Sequence, residues 1–146
     1  MSKSKRRFDL TVLPGSFALV HLAADAPFPR WAVQGEFFSV TRTNDEVSVV
    51  CAADQVPNDV AAEAGWRLLK AKGPFALSEV GVLAELSTPL AEANVSLFAI
   101  STFDTDYLLV SEKQLLAAIA TLRGAGHRIS EPGAAASHNL SRRKKG

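Results

Sequence analysis

Two apolar runs meet at a polar knot in SLFAISTFDTDYLLV, residues 96–110, where Ser101, Thr102, Asp104, Thr105 and Asp106 interrupt aliphatic and aromatic side chains. Runs of this length, bounded by turn formers, predict a hairpin of largely buried strands with a polar tip. Helical patterns flank it. Leu83, Leu86 and Leu90 share one face over residues 79–93, and Leu115, Leu116, Ile119 and Leu122 repeat at helical spacing over 111–124, all as candidate core positions. Outer strands at 66–73 and 127–130 complete the order strand, helix, strand, strand, helix, strand. That order predicts an α+β, ferredoxin-like (βαββαβ) unit, an antiparallel four-stranded sheet with both helices on one face.

The helix ends carry their own signals. Ser111 and Gln114 have the spacing of a capping box, while Gly124 and Gly126 suit a helix stop before His127. Glu79 falls in the expected first turn of the earlier helix, where a carboxylate complements the positive end of the helix dipole. Pro89 predicts either a kink or an end near Ser87 followed by a new first turn.

The first half alternates differently. Strand patterns cover 10–13, 17–22, 37–42 and 47–52, with turn chemistry at Pro14-Gly15 and at residues 43–46, so two hairpins are expected side by side. Pro27 and Pro29 leave room for one helical turn near 30–33, and residues 54–64 are polar. A second lobe with shrunken helices follows, its boundary near Ala64, with Trp31, Trp66, Phe37 and Phe38 expected to pack between lobes.

The segment GPFALSEVGVLAELSTPLAEANVS followed by STFDTDYLLV resembles the ACT-domain family, in its aspartokinase-type and arginine-sensor-like two-lobed subgroup. The resemblance spans roughly residues 9–131 and is most specific over 73–110. It implies tandem ACT domains with antiparallel sheets and helices on one face: a degenerate N-terminal lobe at 8–64 and an ACT domain at 65–131. It further implies a stand-alone regulatory or sensor protein that binds a small ligand, an amino acid, at a lobe or subunit interface. A homodimer and a regulated protein partner belong to the same expectation, and a ligand-free interaction scaffold is the alternative. The family's ligand contacts carry over to Glu79, Gly81, Val82, Thr102, Phe103 and Asp106, with Ala76 standing where the related motif has glycine.

The residues suggest how such a ligand would sit. A helix start leaves backbone N–H groups without internal partners, so the amides around Val80, Gly81 and Val82 suit a carboxylate. Glu79, Asp104, Asp106 and the carbonyls near Ser101 and Thr102 are acceptors for an ammonium. The same residues are also ordinary turn and helix-start chemistry, and sequence leaves both readings open.

Composition narrows the class. In 146 residues, 47% are hydrophobic and 21% charged, and no apolar run reaches the roughly 18–20 residues of a membrane helix. The start is basic without an apolar signal segment, so a cytoplasmic location is expected. The lone Cys51, inside the apolar run 47–53, reads as a buried inert thiol. Eight of the sixteen basic residues lie in 1–7 and 142–145, leaving the segment 8–141 with a balance of −7. An acidic body argues against specific nucleic-acid binding, and residues 1–7 and 132–146 read as flexible basic tails. His21, His127 and His138 have no metal-ligand spacing, and neither a nucleophile motif nor a phosphate loop is present. No catalytic residue, metal or cofactor is therefore expected, and the chain does not read as an enzyme.

Overall fold

The computed structural model describes residues 6–131. Its elements are β1 (Asp9–Val12), β2 (Phe17–Leu22), β3 (Ser39–Arg42), β4 (Val47–Ala52), β5 (Glu63–Ala71), α1 (Val82–Glu92), β6 (Phe98–Ser101), β7 (Asp106–Ser111), α2 (Leu115–Gly124) and β8 (Arg128–Ser130). The expectations for residues 1–5, for 132–146 and for His138 fall outside the described residues. Two compact units form, one from residues 15–66 and the other from 67–131 together with 6–14.

The C-terminal unit is an α+β, ferredoxin-like arrangement with one addition. Its strand order is β8-β1-β5-β7-β6. β1 lies antiparallel to β5, with Leu10 opposite Ala71, and parallel to β8, with Leu10 opposite Ile129. The expected four antiparallel strands are thus five, and β1, grouped by sequence with the N-terminal lobe, belongs here. Leu10 and Val12 alternate with Asp9 and Thr11, so one face of β1 is buried in the same core as Leu69, Leu86, Leu90, Leu108 and Leu122. Full burial of each such side chain contributes roughly 1.5–3 kcal/mol. Alternation identifies a half-buried strand but not its neighbours, which is why Pro14-Gly15 read as a hairpin turn. No β1–β2 hairpin forms.

Helix boundaries shift for local reasons. Gly81 adopts φ 85°, outside right-handed helical space, so α1 begins at Val82 and Glu79 precedes the helix. α1 then continues through Pro89 as one element. It stops at Asn94, φ 60°, where the Val95 N–H donates to the Leu90 carbonyl and the Asn94 N–H to Ala91, at 2.8 and 3.0 Å. Ser111 Oγ accepts from the Lys113 N–H at 3.2 Å, but Gln114 does not close the box. Its amide instead accepts from the Ser96 N–H and donates to the Asn94 carbonyl, tying the end of α1 to the start of α2. On α2 the buried stripe is Ala118, Ile119 and Leu122, whereas Leu116 is 79% exposed, against its reading as core.

The N-terminal unit orders β3-β4-β2, with residues 63–66 of β5 alongside β2. Six residue pairs join β2 to β4 antiparallel, from Phe17–Ala52 to Leu22–Val47. Among the described residues its helices are single 3-10 turns at Arg30–Ala32 and Ala53–Gln55. Trp31 packs on Val20, Val47, Val49 and Cys51, and Phe37 meets Phe17 edge to face at 6.2 Å. These aromatics therefore find partners inside the unit.

Candidate functional site

Two connections in the C-terminal unit are fastened together. The chain leaves β5 through Gly73-Pro74-Phe75, and the β6–β7 tip turns at residues 102–105. The Thr105 hydroxyl donates to the Ala71 carbonyl at 2.6 Å, and the Phe75 N–H donates to the Asp104 carbonyl at 2.7 Å. The tip is itself a closed turn, with the Thr102 N–H donating to the Thr105 carbonyl at 2.8 Å and the Thr105 N–H to the Thr102 hydroxyl at 3.3 Å. Gly73 permits this contact, because a β-carbon there would lie 2.7 Å from the Asp104 carbonyl oxygen.

Between these connections and the start of α1 lies a cleft of about 250 Å³. Of the residues read from sequence, Glu79, Gly81, Val82, Ser101, Thr102, Phe103, Asp104 and Asp106 line it. Val80 does not, and its side chain is 83% exposed. The Asp106 carboxylate accepts from Ser101 Oγ. Val82 and Leu83 open α1, so their N–H groups precede the first intrahelical bond, from the Glu85 N–H to the Gly81 carbonyl at 2.9 Å. The arrangement sets helix-start amides and carboxylates along one cleft.

Glu79 has a partner that sequence did not suggest. Arg6 Nη1 donates to its carboxylate at 2.8 Å, and Arg6 Nη2 donates to the Val80 carbonyl at 2.6 Å. The guanidinium also sits 5.3 Å from the Phe8 ring centroid. Arg6 was read as part of a flexible tail, yet this contact orders it. Phe75, Leu77, Leu83 and Thr105, likewise missed, complete the lining together with Ala76. Thr105 had no distinguishing signal, since a hairpin-tip threonine looks like any turn residue until its acceptor is known.

The two described histidines, His21 and His127, lie apart from the cleft lining. His127 is buried, stacks on Phe8 at 5.6 Å and accepts the Phe8 N–H on Nδ1 at 3.1 Å. His21, read as structural, is instead exposed, with Nε2 3.8 Å from the Glu46 carboxylate.

Comparisons with known proteins reach both units. A family profile described as ACT domain matches residues 61–124, and a second, described as an N-terminal domain, matches 15–59. The cytosolic arginine sensor for mTORC1 subunit 1 of Bos taurus is 30% identical over 110 residues, covering 65% of this chain and 33% of that protein. The chain thus spans about a third of the length of the curated relatives it matches. A crystal structure of a protein from Agobacterium tumefaciens is 40% identical with a TM-score of 0.82, covering 86% of this chain and 94% of that one. The ligand-free regulatory subunit of aspartate kinase from Thermus thermophilus shares the fold at 12% identity, with a TM-score of 0.56 over 80% of this chain and 97% of that one.

Proposed function

Because the chain belongs to the ACT-domain family, we propose that it is a regulatory module that binds an amino acid in the cleft between the β5–α1 connection and the β6–β7 tip. One observation carries this reading: the helix-start residues Gly81 and Val82 share a single cleft with Glu79, Asp104 and Asp106. A carboxylate on the amides and an ammonium on the acids is the binding mode that this charge layout favours. The named functions of the relatives, a sensor and a regulatory subunit, support a regulatory role over a catalytic one.

The exposed Leu77, Val80 and Phe103, at 72, 83 and 77%, cluster on the connections that frame the cleft and support burial against a second copy, as a homodimer. A regulated protein partner is the further part of this proposal. The mammalian relatives are named as cytosolic, and a cytoplasmic location is proposed on that ground. No helix among the described residues is long and apolar enough to cross a membrane.

The Arg6–Glu79 pair favours a second reading, an interaction scaffold whose cleft takes no ligand. Thermal unfolding with each of the twenty amino acids separates the two. A ligand at 100 times its dissociation constant adds roughly 2.7 kcal/mol of stability. A shift of several degrees with one amino acid, lost in Asp106→Ala, is the expected result. No shift with any amino acid at millimolar concentration would favour the scaffold.

A further inference from the structure

We propose that Arg6 is a specificity-determining residue beside the cleft, a tethered guanidinium that competes with the cationic side chain of a ligand for Glu79, which lines the cleft. The inference rests on the amino-acid reading above. Arg6 reaches across 73 residues of sequence to donate to the Glu79 carboxylate and the Val80 carbonyl, at 2.8 and 2.6 Å. Its Nη2 also lies 3.3 Å from where a β-carbon on Gly81 would be, so the guanidinium stands against the turn that opens α1.

The arm has a firm base and a light grip. Two residues on, Phe8 is buried, its N–H donating to His127 Nδ1 and its carbonyl accepting from the Arg128 N–H at 2.9 Å. The Phe8 ring meets Phe75, a lining residue of the cleft, edge to face at 5.7 Å. The grip itself is partly solvated, with Arg6 and Glu79 side chains 39 and 31% exposed. Ion pairs of that exposure contribute little to stability, so the guanidinium can leave without loosening the core. Once displaced it has another acidic wall within its surroundings, since Arg6 lines the groove between α1 and α2 that holds Glu85 and Glu92.

Charge then decides which ligand feels the arm. With Arg6 in place Glu79 is paired, while Asp104 and Asp106 have no ion-pair partner among the described residues. The α-ammonium that every amino acid carries has Asp104 and Asp106 as unpaired acceptors, whereas a guanidinium or ammonium side chain brings a second cation, for which Glu79 is the remaining acid of the cleft, so it must displace Arg6. Arg6 therefore lowers affinity for cationic amino acids selectively, and their binding releases its guanidinium from Glu79.

Calorimetric titration of the full chain with L-arginine and with L-glutamine, for wild type, Arg6→Gln and Arg6→Lys, tests this. Arg6→Gln is expected to bind L-arginine roughly two- to fivefold more tightly than wild type, the scale of one partly exposed ion pair, with L-glutamine affinity changed by less than about 1.5-fold. Arg6→Lys, which keeps the cation, should fall between them. Equal L-arginine affinity in wild type and Arg6→Gln, or equal gains for both ligands, overturns the inference and leaves the amino-acid reading standing. Failure of both wild type and Arg6→Gln to bind any of the twenty amino acids overturns the amino-acid reading and this inference together.

Discussion

The hydroxyl of Thr105 donates a 2.6 Å hydrogen bond to the carbonyl of Ala71, tying the β6–β7 tip to the last residue of β5. Thr105 is only 6% exposed, so the bond satisfies a polar side chain withdrawn from water. Removing one partner of such a bond costs about 1–3 kcal/mol. Thr105→Val is expected to lower unfolding free energy by about 1–2 kcal/mol in urea titrations with unchanged slope, and Thr105→Ser, which keeps the hydroxyl, by less. Equal losses in the two variants would assign Thr105 to packing instead.

Gly73 serves the same junction from the other side. A β-carbon there would meet the Asp104 carbonyl oxygen at 2.7 Å and Thr105 Cβ at 3.1 Å, and the nearer contact is backbone that cannot swing aside. Gly73→Ala must therefore push the tip away from β5 and stretch the bond from the Phe75 N–H to Asp104. A loss of about 1–3 kcal/mol is expected, with amide shift changes concentrated at residues 101–106. A variant as stable as wild type, with an unmoved tip, would contradict this geometry.

Much of this unit was legible because its signals were local. The spacing of Leu86, Leu90, Ile119 and Leu122 marked both helices, and the two apolar runs that meet at a polar knot within residues 96–110 marked the hairpin whose tip lines the cleft. What sequence did not reveal was long-range. Leu10 and Val12 have the alternation of a strand but nothing that names β5 and β8 as partners. Arg6 looked like one more cation in a basic start, and its pairing with Glu79 depends on β1 delivering the chain to that place. The delayed start of α1 had a hint in Gly81, but a glycine inside a helical pattern reads equally as a tolerated interruption.

Phe103 and Leu86 are expected to separate binding from folding. Leu86 is fully buried on the inner face of α1, and Leu86→Ala should cost about 2–5 kcal/mol by leaving a cavity. Phe103 is 77% exposed at the tip, and Phe103→Ser should change stability by less than about 0.5 kcal/mol. If the cleft holds an amino acid, the same Phe103 change should weaken the ligand-induced rise in melting temperature. Thermal melts of both variants, with and without the amino acid identified by screening, check the pair. A large loss of intrinsic stability in Phe103→Ser would show that the tip aromatic belongs to the fold.

Cys51 supplies the pH prediction. It is fully buried opposite Ala18 in the β2–β4 ladder, and burial first, then the nearby Asp54 charge, push its thiol above its ordinary value. The unfolded chain releases this proton at lower pH than the folded one, so over that interval the unfolded state binds fewer protons and stability falls as pH rises. The contribution is fully present below the ordinary thiol value of 9.0 and is lost as pH climbs through the raised folded value. Chemical denaturation from pH 7.5 to 10.5 should show a steeper alkaline loss for wild type than for Cys51→Ala, whatever the offset between them from the lost sulfur. Parallel slopes would mean that the folded thiol ionises like a free one. Iodoacetamide offers an independent check, since the thiolate is the nucleophile: labelling at pH 8 should be slow in buffer and rapid in urea.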